Sequence, residues 1–263
     1  MCLSPLSHRG KVLTGTGHHA MKSEFARTVT ILPGQIDTGG HLGVPDTFEL
    51  FMDTAALAAE KLGAGWGALG ARGVFWITVK TMIRFLAPPR FLDTVEVSAQ
   101  LEAPEARRCR THYRISKGGE TLVLGKTEWA LVDVGAGRQL AVADVLPRDI
   151  AFSADLPFPA PFPRIDTAFS EPPFALHRVT ARDIDMARHM NNVAYVRAIV
   201  DVYPLRVWEN MRVREMAVVF LASATEDEEL RLQRRVRGPE TDMLISGADG
   251  RKVALARLIL EQP

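Results

Sequence analysis

The apolar positions of this chain repeat a helical period twice, at the same phase. Val196, Ile199, Val200 and Tyr203 fall at i, i+3, i+4 and i+7, the spacing of one buried helix face. Phe48, Phe51, Met52 and Ala55 stand 148 residues earlier and repeat the stripe. The pattern predicts two helices, over 44–62 and 192–203, that bury equivalent faces. Period-two alternation follows each of them, as strands require. In "RRCRTHYRIS" one strand face carries Cys109, Thr111, Tyr113 and Ile115, and the other carries Arg108, Arg110, His112 and Arg114. "ETLVLGKTEWALVDV" continues the first half, and "DMLISG" and "KVALARLILE" continue the second.

A second set of landmarks aligns "FLAPPRFLDTVEV" (85–97) with "FLASATEDEELRL" (220–232), pairing Phe85 with Phe220 at a shorter interval than the helices keep. The first copy therefore holds about a dozen more residues between helix and strand, many of them in the Gly-rich "GAGWGALGARG" (63–73). One helix with one apolar stripe, followed by strands with one apolar face, predicts a sheet wrapped around its helix. This is the α+β hotdog architecture. Two such units in tandem would share one continuous sheet about a pseudo-twofold. Between the copies, residues 147–173 contain seven prolines, which exclude a regular helix or a central strand. The phenylalanines in that segment predict a semi-extended strap packed on both units. Residues 1–21 read as a disordered leader, with Met21 a candidate start. Residues 22–146 form the first unit and 174–263 the second.

Composition narrows the function classes. The chain is 47% hydrophobic and 24% charged, with a net charge of +1, so charge does not point to nucleic acid or to a membrane surface. No apolar run reaches the length of a membrane span, and the first twenty residues lack the apolar segment of a signal peptide. The two cysteines, Cys2 and Cys109, do not suggest a disulfide framework, and a cytoplasmic location is expected. "GWGALG" (65–70) spells G-x-G-x-x-G, but it follows a helix and precedes a strand, the wrong context for a dinucleotide site.

The candidate chemistry lies just before each helix. "DTGGH" (37–41) and "DMARH" (185–189) share an Asp-x-x-x-His spacing and stand 148 residues apart. A helix N-terminus offers unpaired N–H groups and partial positive charge, which can stabilise an oxyanion. A carboxylate beside it can serve as nucleophile or as general base on water. His41 or His189 can orient substrate, and Asn191 and Asn192 can fix a loop or a water. The same Asp is also an ordinary helix cap, and repetition alone does not separate inherited fold from inherited function. Glu49 and Asp53 on the first helix read as a solvated face, although some hotdogs carry a catalytic carboxylate there. Arg231, Arg235 and Arg237 read as a solvated strand face or as a docking patch for an acidic carrier or for CoA phosphates.

"RDIDMARHMNNVAYVRAIVD" (182–201) resembles the signature of acyl–acyl-carrier-protein thioesterases. So does "MDTAALAAEKLGAGWGALGARGVFWITVKTMIRFLAPPRFLDTVEVSAQLE" in the first unit. The resemblance covers most of 22–263 in order. It implies hydrolysis of fatty acyl–acyl carrier protein, no metal or bound cofactor, and chemistry in the second unit. Asp185 would be base or nucleophile, and His189 and Asn192 would orient substrate and water. Asn191 would contact substrate, and the acyl chain would lie between helix and sheet against Phe48 and Met52. The family's usual Asn two residues after the Asp is Ala187 here. Its later carboxylate or thiol falls near Ser223 and Ala224, which leaves Glu226 or Glu228 as substitutes and keeps Asp37 and His41 as a second candidate site. Acyl-CoA hydrolysis of the 4-hydroxybenzoyl-CoA thioesterase type is the alternative, followed by a hotdog hydratase or dehydratase and by a non-catalytic acyl-binding module. Homodimerisation is left open.

Overall fold

The structure, a computed structural model, describes residues 21–262; the expected leader, apart from Met21, lies outside these residues. The first half runs β1 (Met21–Lys22), β2 (Glu24–Thr30), α1 (Val44–Lys61), α2 (Trp66–Leu69), β3 (Val74–Phe85), β4 (Thr94–Leu101), β5 (Cys109–Lys117), β6 (Glu120–Asp133), β7 (Arg138–Leu140) and β8 (Ile150–Ala151). The second runs β9 (Ala175–Arg178), α3 (Asn192–Asp201), α4 (Leu205–Trp208), β10 (Arg212–Phe220), β11 (Glu229–Arg237), β12 (Glu240–Gly247) and β13 (Lys252–Glu261). One large antiparallel sheet takes the order β2-β4-β5-β6-β3-β10-β13-β12-β11-β9, with β7 added beside β6. Read outward from the β3–β10 junction, each half repeats the same strand sequence. The fold is the expected tandem hotdog.

Each helix exists because one face is buried. Phe48 and Phe51 of α1 pack with Val97, Tyr113 and Ile115 of the sheet, and Val196 and Ile199 of α3 join the same continuous core. Phe51 stacks on Tyr113 with ring centroids 4.6 Å apart. Gly125 makes this approach possible, because a Cβ there would collide with the Phe51 ring. Tyr203 packs at the end of its stripe but lies two residues beyond α3.

The Pro-rich segment lies on the outer face of the sheet. Phe158 is buried against Met82 of β3 and Ala217 of β10, so it spans the junction between the halves. Gln100 donates to the Asp155 carbonyl at 2.7 Å, and Lys126 donates to the Ala160 carbonyl. This cover explains why His112, on the polar face of β5, is only 1% exposed. No helix among the described residues is long and apolar enough to cross a membrane.

Candidate active site

The two Asp-x-x-x-His loops fold alike. In each a short 3-10 turn, 33–35 or 181–183, leads into the Asp. The Asp37 N–H donates to the His41 carbonyl at 2.8 Å, and the Asp185 N–H to the His189 carbonyl at 2.9 Å. Gly40 and Arg188 occupy equivalent left-handed positions, with φ of 74° and 60°. Glycine adopts this conformation freely, whereas arginine holds it at a cost. Each loop is pinned to the far strand connection at matched places: Leu42 N–H to the Pro89 carbonyl at 2.7 Å, and Met190 N–H to the Ala224 carbonyl at 2.8 Å.

Their polar side chains differ. Asp37 Oδ1 accepts from the N–H groups of Gly39 and His41 at 2.9 and 3.0 Å, and His41 Nδ1 lies 4.0 Å from it. Asp185 Oδ1 accepts from Ala187 N–H at 2.8 Å. At the start of α3, Asn191 Oδ1 caps Val193 N–H at 2.8 Å, and Asn192 Nδ2 donates to Thr78 Oγ1 of β3 at 2.8 Å. At the start of α1, the Asp46 carboxylate folds back over Gly43, so close that a Cβ there would meet Oδ2 at 2.5 Å. Burial raises the Asp46 carboxyl, against the lowering effects of its own backbone N–H and of Arg197. In α3 the matching residue is Ala194, which has no carboxylate. One helix N-terminus is therefore occupied by its own acid and the other is not.

A cavity of about 530 Å³ lies between α1, α2 and the inner face of β3–β6, within the range of small-molecule sites. Met52, Ala55 and Ala59 form its helix wall, Trp66 and Leu69 close one side, and Trp76, Cys109 and Trp129 line the sheet side. The Gly-rich stretch 63–73 thus builds the cavity wall rather than a phosphate loop. Trp76 Nε1 donates to the Ala64 carbonyl at 2.8 Å, which ties β3 to the turn after α1. Burial pushes the Cys109 thiol up to about 12, so it stays neutral. Arg182, Ile184, Asn191, Asn192 and Val193 reach the same cavity from the second half.

The structure places Asp185, His189 and Asn191 on one loop and Asn192 at the first position of α3. Asn191 and Asn192 line the cavity, while Asp185 and the exposed His189 stand outside its lining. Asp37 and His41 lie at the start of the other helix. Met52 lines the cavity, but Phe48 does not: it is core, 2% exposed, because its side of α1 faces the sheet. Arg231 and Arg237 are exposed on β11. Arg235 is not free for docking. It pairs with Glu171 at 2.9 Å, donates to the Ala168 carbonyl and lies over the Phe169 ring at 4.5 Å, which clamps the Pro-rich segment. Glu228 is no free substitute base either: Oε1 accepts from Thr225 N–H at 2.9 Å, and Oε2 pairs with Arg251 at 2.7 Å. Glu226 is exposed. Glu49 and Asp53 lie on the cavity rim, paired with Arg197 at 2.9 Å and Arg27 at 3.4 Å.

Two contributors were not anticipated from sequence. Thr78 is a hydroxyl where the second copy, in the alignment that pairs Phe85 with Phe220, has Val213, and that difference was its only signal. Tyr195 Oη accepts from Ala224 N–H at 3.0 Å. Burial pushes its hydroxyl to about 12.

A family model described as the acyl-ACP thioesterase N-terminal domain matches residues 22–148, and one described as the acyl-ACP thioesterase C-terminal domain matches residues 168–259. No curated sequence matches the chain. Among solved structures, an acyl-ACP thioesterase from Bacteroides thetaiotaomicron aligns with a TM-score of 0.84 and 19% identity, over 91% of this chain and 98% of that one. A 12:0-ACP thioesterase from Umbellularia californica aligns with 0.77 and 18%, over 91% and 98%. A putative oleoyl thioesterase from Lactobacillus plantarum aligns with 0.76 and 16%, over 91% and 96%.

Proposed function

The chain belongs to the acyl-ACP thioesterase family of thioester hydrolases, and on that premise we propose that it releases free fatty acid from a fatty acyl–acyl carrier protein, with Asp185 as general base. One observation carries this reading: the cavity of the first half opens onto the start of α3 in the second, at Asn191 and Asn192. The acyl chain lies in the cavity, and the thioester carbonyl sits at the α3 N-terminus. Among the described residues the Asn192 N–H donates to no protein acceptor, so it is available to a developing oxyanion.

The reaction consumes one water. As the water oxygen bonds the thioester carbon, Asp185 takes its proton and the carbonyl electron pair moves onto oxygen under the helix dipole. Collapse re-forms the carbonyl and breaks the C–S bond. The thiolate leaves with the proton held on Asp185, which gives a carboxylic acid and a free thiol. Asn192 and His189 orient water and substrate. Ala187 and Ser223, in place of the family's usual side chains, leave Asp185 as the main remaining acid-base group of the site. Arg231 and Arg237 remain candidate carrier contacts. The buried free thiol of Cys109 suits a reducing, cytoplasmic setting.

A second reading makes Asp53 the base, since Asp53 lines the cavity and Asp185 does not. Its pairing with Arg27 speaks for the structural role instead. Thiol release measured over a panel of acyl-carrier proteins and acyl-CoAs tests the whole reading. Faster release from the carrier supports it, and preference for CoA moves the chain to the 4-hydroxybenzoyl-CoA type. Enoyl hydration without thiol release, or binding without turnover, overturns it.

A further inference from the structure

We infer that Thr78 is a positioning residue for the reaction, acting through the Asn192 carboxamide. The inference rests on the second loop being the reacting one. The two residues are far apart in sequence and belong to different halves, yet Asn192 Nδ2 donates to Thr78 Oγ1 at 2.8 Å. Both line the cavity, and Thr78 is 8% exposed. With its amide group committed to Thr78, Asn192 presents its Oδ1 from a fixed plane rather than from a freely rotating side chain.

The chain contains its own comparison. The β3–β6 register slips between Thr78 and Lys80, and the β10–β13 register slips between Val213 and Glu215. The interval between the two irregularities is the one that relates Phe85 to Phe220, so they occupy equivalent places. A bulge bends its strand and re-aims the adjacent side chain. In the first half it aims a hydroxyl. In the second it aims Val213, and the residue matching Asn192 is Val44. Val213 belongs to the apolar core, and Val44 is half-buried against it. The polar pair therefore stands only where the cavity meets the Asp185 loop, and valines occupy both matching positions. Fold symmetry does not require the hydrogen bond, since the matching positions hold side chains that cannot form it.

Holding an amide in one plane matters to catalysis because small misplacements of a contacting group are expensive. Thr78→Val keeps the side-chain shape and removes the acceptor. It is expected to lower kcat by about ten- to a hundredfold while changing KM less than about threefold. Thr78→Ser retains the hydroxyl and should recover most of kcat. In an Asn192→Ala background, Thr78→Val should have no further effect on kcat, because its action passes through Asn192. Asp185→Asn is measured alongside. A wild-type kcat in Thr78→Val, with Asp185→Asn crippled, overturns the role of Thr78 alone. Additive losses in the double variant, or failure of Thr78→Ser to recover activity in a protein with normal melting, also overturn it. A wild-type kcat in Asp185→Asn overturns the underlying reading of the loop.

Discussion

Glu49 and Arg197 stand at the same place on two equivalent helices, and their side chains meet at 2.9 Å. Contact between equivalent positions is what a twofold axis between two helices produces. On the opposite side of the molecule, Met82 and Ala217 face each other across the β3–β10 junction. They too are equivalent, each standing three residues before its copy's landmark, Phe85 or Phe220. The pseudo-twofold thus runs between the helix pair and the sheet junction, and Phe158 covers its outer end.

The Glu49–Arg197 pair marks the axis but stabilises it little. Side-chain exposures are 52% and 38%, and exposed pairs contribute about 0–1 kcal/mol. Arg197→Glu should lower the melting temperature by no more than a few degrees, less so at high salt, and the swap Glu49→Arg/Arg197→Glu should restore it. Melting curves at two ionic strengths check this.

Phe158 is the stronger fastening. It is 2% exposed between the two halves, and truncation of a buried Phe costs about 3–5 kcal/mol. Phe158→Ala should lower denaturant stability on that scale. A loss below about 1 kcal/mol would mean that the Pro-rich segment lies loosely on the sheet.

Ala59 lines the cavity from α1, so Ala59→Phe should fill part of the proposed acyl site. Each methylene denied burial costs about 0.8 kcal/mol, or roughly fourfold in kcat/KM. Long-chain thioesters should lose several such steps and short-chain ones should be spared. Uniform loss across chain lengths would count against the cavity as the acyl site.

The buried thiol on the cavity wall gives a pH signature. Burial raises the Cys109 thiol from its ordinary 9.0 to about 12. Its folded value lies above its unfolded one, so its contribution to stability is complete below pH 9 and is lost as pH rises from there toward 12. Cys109→Ala should therefore flatten the alkaline limb of the stability curve. In a Cys2→Ser background the remaining thiol should alkylate at pH 8 at least about tenfold slower than a free thiol.

The repeat was legible because helices and strands write their buried faces into local periodicity. The stripes at Phe48 and Val196 gave both helices, and the Phe85–Phe220 correspondence gave the sheet. Contacts that join distant segments left no such trace. Arg235 read as a docking residue because its partner Glu171 lies in a segment with no periodicity. Phe48 read as a pocket residue because a stripe does not say which of its members face the sheet and which face a cavity. Asp46 over Gly43, and Thr78 beside Asn192, are legible only when each copy is compared with the other.

That comparison frames the decisive measurement, kcat for Asp185→Asn beside kcat for Asp37→Asn on one acyl–acyl carrier protein. Asn keeps the loop and capping hydrogen bonds, so melting temperatures should stay near wild type. Loss of a general base is worth about 10²–10⁴ in rate. Asp185→Asn should lose that much, while Asp37→Asn, beside a helix start already filled by Asp46, should lose less than about tenfold on the same scale. A crippled Asp37→Asn with a near-normal Asp185→Asn would contradict the account and move the chemistry to the first loop.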